Sequence, residues 1–332
     1  MNTHHAMTTL NRTTFKISRL LDFCSRKELI AQTGHQPQSW PHVALKELVD
    51  NALDACEDAG IAPQVSVTVD HTGISVADNG PGIPCDTVAG VLDFSVRVSS
   101  REAYVSPTRG AQGNALKTIL AMPFVLDGER GRVSISSHGR RHEITFSVDR
   151  IRQQPVISRE QRRAKNVRTG TNVTLHWPDS ACSKLQSSKP RFLQFADDYA
   201  ILNPHLTLHT DWFGQRASIK AADSGWTKWL PSDPTSPHWY KPEHLERLIA
   251  AYIAHDAECD HDRKVREFVA EFRGLTGSAK GCAVLEATGL ARASLSSLAN
   301  GQGLDSRSVM RLLEALQRHS KLVNPSALGV IG

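Results

Sequence analysis

The stretch PHVALKELVDNALDACEDAG, residues 41–60, decides the fold. It predicts a helix from His42 to Ala59, because Pro41 favours a helix start and Gly60 a helix stop. Its apolar residues recur at helical spacing and predict one buried face: Leu45, Leu48, Val49, Ala52, Cys56 and Ala59. Its polar residues line the opposite side at i, i+3, i+4 and i+7: Glu47, Asp50, Asn51 and Asp54. Such a stripe is typical of a solvated face, so its meaning depends on the flanking sequence.

Two glycine-containing segments follow this helix. The first, ISVADNGPGIP at residues 74–84, ends a predicted strand at Asp78 and continues through Gly80 and Gly82. These glycines let the backbone bend beside the carboxylate, which leaves room for a flat ligand. The second, TRGAQGNALKT at residues 108–118, is a glycine loop that leads into an apolar helical stretch. Free N–H groups and a helix dipole at such a junction favour phosphate oxygens.

Four motifs occur in order: Glu47-x-x-x-Asn51, Asp78-x-Gly80-x-Gly82, Gly110-x-x-Gly113 and Gly170-Thr171. Together they resemble the signature motifs of the GHKL ATPase superfamily, which includes gyrase B, the large heat-shock chaperones, histidine kinases and MutL. Within it the sequence most resembles the topoisomerase VI B family, where KELVDNALDAC, VADNGPGIP and TRGAQG occur in nearly this form. A single D-x-G-x-G motif is weak evidence, whereas four motifs with suitable spacing are specific.

The resemblance implies a role for each motif residue. Glu47 corresponds to the general base, and Asn51 to the residue that holds Mg²⁺ and contacts ATP. Asp78 corresponds to the carboxylate that accepts the adenine amine, while Thr171 shares a water with it. Asp50 and Asp54 are candidates for supporting the metal waters or the nucleotide, or for ordinary salt bridges. The other expected ATP contacts are Gly80, Gly82, Arg109, Gly110, Ala111, Gln112, Gly113, Asn114 and Lys117.

The loop over residues 95–108 corresponds to the lid over the triphosphate in the resembling family. Arg97 and Arg101 on this loop are candidate phosphate contacts, as is Arg109, and solvated arginines are the alternative. Ala115 stands where the family commonly has a third glycine, which narrows the approach to phosphate. The sequence ends at Gly332, where the family's transducer domain with its phosphate-binding lysine would begin. We therefore expect slow turnover or a lysine from a partner, with Lys117 as a weak substitute.

Composition sets broader limits. The 332 residues are 40% hydrophobic and 22% charged, which is ordinary for a soluble protein of two compact units. A net charge of +5 permits nucleic-acid contact without requiring it. Six cysteines without a C-x-x-C pair, and a first segment unlike a secretory signal or membrane span, predict a cytoplasmic protein with no membrane partner. Cysteine and histidine near residue 259 suggest a metal, but a polar helix end is the better interpretation.

The predicted organisation is α+β. Residues 1–230 are expected to form a GHKL ATP-binding domain with an N-terminal extension, built as a two-layer α/β sandwich of the Bergerat type. Residues 231–332 are expected to form a small helical domain, similar to the helix-two-turn-helix domain that follows the ATPase domain in the topoisomerase VI B family. The boundary is placed in residues 221–240, where Ser, Asp, Pro and Trp accumulate. The sequence leaves two roles open for the helical domain: a module that contacts DNA, or a helical cap that only packs.

Several elements are predicted by local pattern. Strands are expected at 132–137, 143–148, 170–177 and 206–212, and short helices at 87–94 and from Leu116. The helical signal from Phe15 to Ile30 is interrupted at Cys24–Ser25, and it predicts either a dimerisation segment or a core-covering helix. The basic run REQRRAKNVR at residues 159–168 is expected to be an exposed connection, with DNA contact as the alternative. Helices beyond the boundary are expected at 242–254, 262–272, 279–288, 294–299 and 306–319.

The function implied by the resemblance is Mg²⁺-dependent ATP binding and hydrolysis. The protein would form a homodimer on binding nucleotide and act on DNA or on a DNA-cleaving partner similar to the A subunit of topoisomerase VI. A non-hydrolysing nucleotide-sensing or DNA-binding scaffold is the alternative, favoured by Ala115 and opposed by Glu47 and Asn51. A histidine-kinase-like phosphotransferase is disfavoured because no phosphoacceptor helix pair is evident upstream.

Overall fold

The structure is a computed structural model that describes residues 24–91, 103–105, 115–152, 154–164, 169–230, 233–300 and 303–328. Within these residues, eight strands form one mixed sheet in the order β5-β4-β3-β6-β2-β1-β7-β8. The strands are β1 (Gln64–Asp70), β2 (Gly73–Asp78), β3 (Gly131–Ser137), β4 (Arg140–Asp149), β5 (Gln154–Arg163), β6 (Thr171–His176), β7 (Thr207–Trp212) and β8 (Gln215–Ile219). Neighbouring strands are antiparallel except β1 and β7, which run parallel.

Helices cover one face of this sheet. They are α1 (Arg26–Thr33), α2 (Trp40–Asp58), α3 (Cys85–Val91), α4 (Ala115–Asp127), α5 (Cys182–Ser187) and α6 (Lys189–Leu202). In β1 the side chains of Val65, Val67 and Val69 are buried in the core with the helices, and the residues between them are more exposed. This alternation is the period of a strand with one packed face. The predicted two-layer α/β sandwich is confirmed.

The predicted helix around residue 47 is confirmed with ends shifted by two residues or fewer. Its apolar face is buried, from Trp40 and Leu45 to Leu53 and Cys56. Gly60 follows in the left-handed region at φ +66°, and its N–H donates to the Glu57 carbonyl at 3.0 Å. Glycine adopts this conformation without strain, which explains why the helix stops there.

Other local predictions needed correction. The helical signal over residues 15–30 lies mostly outside the described residues; within them a helix begins at Arg26, directly after the expected interruption at Cys24–Ser25, and the Ser25 side chain caps its N-terminus. The run at 159–168 is not a plain connection, because Arg159–Arg163 belong to the exposed edge strand β5, paired along its length with β4. Strand β5, strand β8 and helices α5 and α6 had not been predicted. Strands β3, β4, β6 and β7 lie within three residues of their predicted positions, and β2 ends at Asp78 as predicted.

A second group of helices follows residue 233: α7 (Pro242–Glu258), α8 (Val265–Ala270), α9 (Ser278–Thr288) and α10 (Ser306–His319). They share a separate hydrophobic core that includes Leu245, Phe268, Val284 and Leu312, each essentially inaccessible to solvent. A two-residue ladder joins β9 (Ala299–Asn300) to β10 (Gly303–Leu304). The domain boundary at 230/231 and the helix-two-turn-helix similarity stay predictions.

None of the helices in the described parts of the chain combines the length and apolar character that crossing a membrane requires. The same residues contain no group of three or more His, Cys, Asp and Glu side chains arranged to hold a metal ion. Near residue 259 the Cys259 Sγ lies 4.0 Å from the His255 Nε2, which is a weak contact.

Candidate functional site

The carboxylate of Asp78 lies at the end of β2 and is held in one orientation. Its Oδ1 accepts the N–H of Gly80 at 2.8 Å and the N–H of Thr171, at the start of β6, at 3.1 Å. Within the described residues, no hydrogen bond is made to Oδ2. Burial raises the pKa of the Asp78 carboxyl, and the two N–H donors oppose that rise. One oxygen is thus fixed by the protein and the other is available to a ligand.

Glycines bring three strand ends close to this carboxylate. Gly170 has φ +77°, and a Cβ there would collide with the Asp78 carbonyl. Gly82 has φ +90°, and a Cβ there would lie 2.6 Å from the Ser137 Oγ. The Ser137 hydroxyl accepts the N–H of Ile83 at 2.8 Å and donates to the Gly170 carbonyl at 3.2 Å. The site therefore needs glycine at both positions, and Ser137 ties the two loops together.

The loop after Asp78 also packs against α2. A Cβ on Gly80 would lie 3.4 Å from the Cys56 Sγ and 3.5 Å from the Ala55 carbonyl carbon, which are ordinary packing distances, and 3.0 Å from the Asp78 Oδ1, which is tight. The Asn79 side chain closes the far side of the loop, accepting the Gln64 N–H at 2.8 Å and donating to the Ala62 carbonyl at 3.0 Å. The strand end and the C-terminal half of α2 are therefore in direct contact.

The polar stripe of α2 divides into an open part and a buried part. Asn51 is exposed and Glu47 is partly exposed, with 28% of its side chain accessible. Burial raises the pKa of the Glu47 carboxyl, and Asp50 and Asp54 add to this while Lys46 opposes it. A carboxylate with a raised pKa is suited to accept a proton near neutral pH.

Asp50 differs from the expectation that it supports a metal or nucleotide. Only 6% of this residue is exposed, and its two oxygens accept hydrogen bonds from Lys46 and Tyr199. The structure instead shows the other predicted role of Asp50, an ion pair: the Lys46 Nζ lies 2.7 Å from the Asp50 Oδ2.

Comparison with known proteins finds relatives of the same part of the chain. The family model of histidine kinase-, DNA gyrase B-, and HSP90-like ATPases matches residues 37–181, a span that contains Glu47, Asn51, Asp78 and Thr171. This part of the chain is similar to a GHKL ATPase domain. It is similar to the type 2 DNA topoisomerase 6 B subunit of Archaeoglobus fulgidus, with 29% identity over 48% of this chain and 27% of that protein. The Pyrococcus abyssi protein of the same name is 28% identical over 58% of this chain and 34% of its own length. The chain thus aligns with about a third or less of these relatives.

Two solved structures are also similar to part of this chain. The Aquifex aeolicus MutL ATPase domain complexed with ADP matches 62% of this chain and 67% of its own, at 19% identity and a TM-score of 0.36. The 43K ATPase domain of Thermus thermophilus gyrase B, in complex with an aminocoumarin, matches 55% of this chain and 46% of its own. Its identity is 22% and its TM-score 0.36.

The phosphate-binding predictions for this part of the chain fall mostly outside the described residues. Arg97, Arg101 and the run from Arg109 to Asn114 lie there, so these contacts stay predictions. Ala115 is the first residue of α4, a position that alanine tolerates. Lys117 lies on α4 with 3% exposed, a position that favours a role in the protein interior over contact with an open nucleotide site.

Sequence reasoning missed a contact between the loop before Gly110 and the C-terminal helices. The Tyr104 hydroxyl is hydrogen-bonded to that of Tyr252 on α7, and the Val105 N–H donates to the Tyr240 hydroxyl at 3.2 Å. Tyr252 in turn donates to Glu271, which the Arg263 guanidinium holds at 2.7 Å. Residues this far apart in the chain leave no local signal, which is why the pattern of residues 95–108 predicted only a loop.

Proposed function

We propose that the chain binds Mg²⁺-ATP between α2 and the end of β2 and hydrolyses its γ-phosphate. The observation that carries the proposal is the fixed carboxylate of Asp78. With Oδ1 occupied by two backbone N–H groups, Oδ2 is left to accept a hydrogen bond from an amine. Adenine offers an exocyclic amine at this position and guanine a carbonyl, so the arrangement supports selection of adenine.

The positions of Gly80 and Glu47 along α2 indicate the direction in which the triphosphate would extend. Gly80 contacts α2 at Ala55 and Cys56, eight residues after Glu47. At 1.5 Å per residue this places Glu47 about 12 Å further along the helix. Adenine at Asp78 would therefore leave the phosphates extending along α2 towards Glu47, with Asn51 between the two ends.

Asn51 is the residue proposed to hold the metal ion. Its carboxamide is exposed, and among the described residues it makes no hydrogen bond, so its oxygen is available as the hard ligand that Mg²⁺ prefers. Mg²⁺ keeps most of its waters when it bridges phosphates, so one protein ligand is sufficient. When bound, the ion would neutralise charge on the phosphate oxygens.

Glu47 is proposed as the general base. Its carboxylate would accept a proton from the water that attacks the γ-phosphorus, while the water aligns opposite the leaving oxygen. Burial raises its pKa, which makes this carboxylate a stronger base than an exposed glutamate. The hydroxyl of Thr171 would complete the adenine end by sharing a water with Asp78.

DNA is proposed as a partner because of the charge on the β4–β5 edge. Arg140 lies opposite Arg163 and Arg141 opposite Arg162 in the register of these strands. Within the described residues no ion pair compensates Arg140 or Arg163, so the edge keeps its positive charge. Like charges directly opposite each other repel, and a polyanion such as the DNA backbone would relieve that repulsion.

By analogy with the B subunits of type 2 DNA topoisomerase 6, we propose that the chain forms a nucleotide-dependent homodimer in the cytoplasm. It would act with a DNA-cleaving partner similar to the A subunit of topoisomerase VI. The second candidate is a scaffold that binds ATP without turnover. The burial of Lys117 favours that alternative, because this lysine was the nearby substitute for a phosphate-binding cation.

Two variants test the proposal. We expect Glu47→Ala to bind a labelled ATP analogue like the parent and to lose hydrolysis by roughly 10²-fold or more. We expect Asp78→Asn to lose binding, because an amide presents a donor where the adenine amine needs an acceptor. Light scattering with the analogue and Mg²⁺ should show conversion of monomer to dimer. Parental hydrolysis in both variants would contradict the assignment, and binding without turnover in the parent would favour the scaffold.

A further inference from the structure

A series of hydrogen bonds and ion pairs links the candidate base Glu47 to the helix α6. Tyr199 lies on α6 with its ring stacked on Phe195 at 4.1 Å between centroids. Its hydroxyl donates to the Asp50 Oδ1 at 2.6 Å, and the Lys46 Nζ donates to the Asp50 Oδ2 at 2.7 Å. The same Nζ lies 3.6 Å from the Glu47 Oε1. One lysine thus contacts two carboxylates, of which one is buried and the other faces the candidate site.

The exposure of these groups shows which contact fixes the lysine. The Lys46 side chain is 54% exposed, and a lysine in that position would ordinarily sample many rotamers in water. Asp50 has only 8% of its side chain exposed and is held on its second oxygen by Tyr199. The fixed partner is therefore Asp50, and Glu47 receives an ammonium group whose place is already determined.

We propose that Lys46 is a positioning residue for Glu47, and that Asp50 and Tyr199 determine where its ammonium group lies. The inference rests on the proposed ATP hydrolysis and adds residues beyond Glu47, Asn51, Asp78 and Thr171, whose roles are already proposed. The ammonium orients one Glu47 oxygen, Oε1, and within the described chain no hydrogen bond is made to Oε2. That second oxygen is then presented to the attacking water.

The charges around Glu47 predict how its titration changes when Lys46 is replaced. The groups that face it are Lys46, Asp50 and Asp54 on α2, with the Tyr199 hydroxyl acting from α6 through Asp50. The two carboxylates and burial favour the protonated form of Glu47, and among the described residues only Lys46 opposes them. Without Lys46, the pKa of Glu47 would rise further, so at a given pH a larger fraction of its carboxyl would be protonated and unable to act as a base.

The alternative is that Lys46 only neutralises the buried Asp50 and so stabilises the contact between α2 and α6. Both roles predict lower stability when Lys46 is replaced. Only the positioning role predicts a change in the titration of Glu47, whereas an arginine at position 46 would neutralise Asp50 in either role. The two roles can therefore be separated by the pH dependence of hydrolysis.

The test compares Lys46→Met, Lys46→Arg and Tyr199→Phe in the full chain. Lys264→Met is the matched control. Lys264 forms a 3.1 Å ion pair with Asp262 at the start of α8, outside the candidate site, and its loss changes the net charge equally. We expect Lys46→Met to bind the ATP analogue like the parent, to hydrolyse ATP about tenfold more slowly and to move the acid limb of kcat to higher pH. Lys46→Arg should keep the parental rate of hydrolysis and the parental acid limb. Tyr199→Phe should change the rate and the acid limb in the same direction as Lys46→Met but by less, and Lys264→Met should change neither.

A second measurement does not depend on turnover. The carboxyl carbon of Glu47 is followed by NMR during a pH titration of protein labelled with ¹³C-glutamate, with Glu47→Gln to identify the signal. We expect its midpoint to rise in Lys46→Met and to stay at the parental value in Lys264→Met. An unchanged midpoint in Lys46→Met, or a Lys46→Arg variant as impaired as Lys46→Met, would overturn the positioning role. A raised midpoint in a chain that never hydrolyses ATP would support the placement of Lys46 and overturn the ATPase assignment.

Discussion

Replacing Gly170 by alanine tests the construction of the adenine-binding corner. Gly170 has φ +77°, and a non-glycine residue in this region costs about 1–2 kcal/mol. The added Cβ would also collide with the Asp78 carbonyl, so the two strand ends must separate. Separation would break the 3.1 Å bond from the Thr171 N–H to the carboxylate, worth about 1.5–3 kcal/mol for a charged acceptor. Together these effects predict a loss of about 2.5–5 kcal/mol in the free energy of unfolding.

Gly214 offers a matched control. It has φ +85° in the turn between β7 and β8, and a Cβ there would have no atom within 4 Å. Gly214→Ala should therefore lose only the conformational share, about 1–2 kcal/mol. Urea unfolding followed by circular dichroism gives both values, and titration with an ATP analogue should show weaker binding for Gly170→Ala alone. If Gly170→Ala is no less stable than Gly214→Ala and binds the analogue equally well, the close approach of β6 to Asp78 is wrong.

Two further predictions concern the surfaces around the site. Replacing Arg140 and Arg163 together by serine should weaken DNA binding and lower the slope of log K against log salt by about 2, and an unchanged slope would remove this edge from the DNA surface. Tyr104→Phe keeps the ring and removes the hydroxyl bonded to Tyr252, so it should lower the unfolding free energy by about 1 kcal/mol in urea titration. A midpoint identical to that of the parent would mean that this hydrogen bond contributes nothing.

The sequence predicted the elements whose signals are local. Helix α2 was found almost to the residue because proline and glycine mark its ends and its buried residues keep a helical period. Helix α10 was found at its observed ends, Ser306 and His319, because it has the clearest separation of apolar and polar faces. Asp78 and Thr171 were paired only through the resemblance, and the structure brings them together through a backbone N–H of Thr171, where the resemblance had implied its hydroxyl.

Other features had no such local signal. Only Phe192 and Ala196 are buried on α6, so its apolar period is weak, and Tyr199 could not be connected to Asp50 across 149 residues of chain. Strand β5 is exposed along most of its length, which makes it look like a charged loop when its partner is unknown. The buried role of Asp50 was also hidden, because its spacing places it beside Glu47 and Asn51 on the same helix.

The Tyr104–Tyr252 hydrogen bond has a consequence for how the protein forms during synthesis. The two tyrosines are 148 residues apart, so the contact must await emergence of α7 from the ribosome. Closing so long a loop costs entropy that local elements do not require, and such contacts form late. A nascent chain would therefore complete its central sheet before the segment preceding Gly110 acquires its anchor. Nascent chains stalled before residue 240 should accordingly leave Tyr104 open to a protease, whereas released chains should protect it.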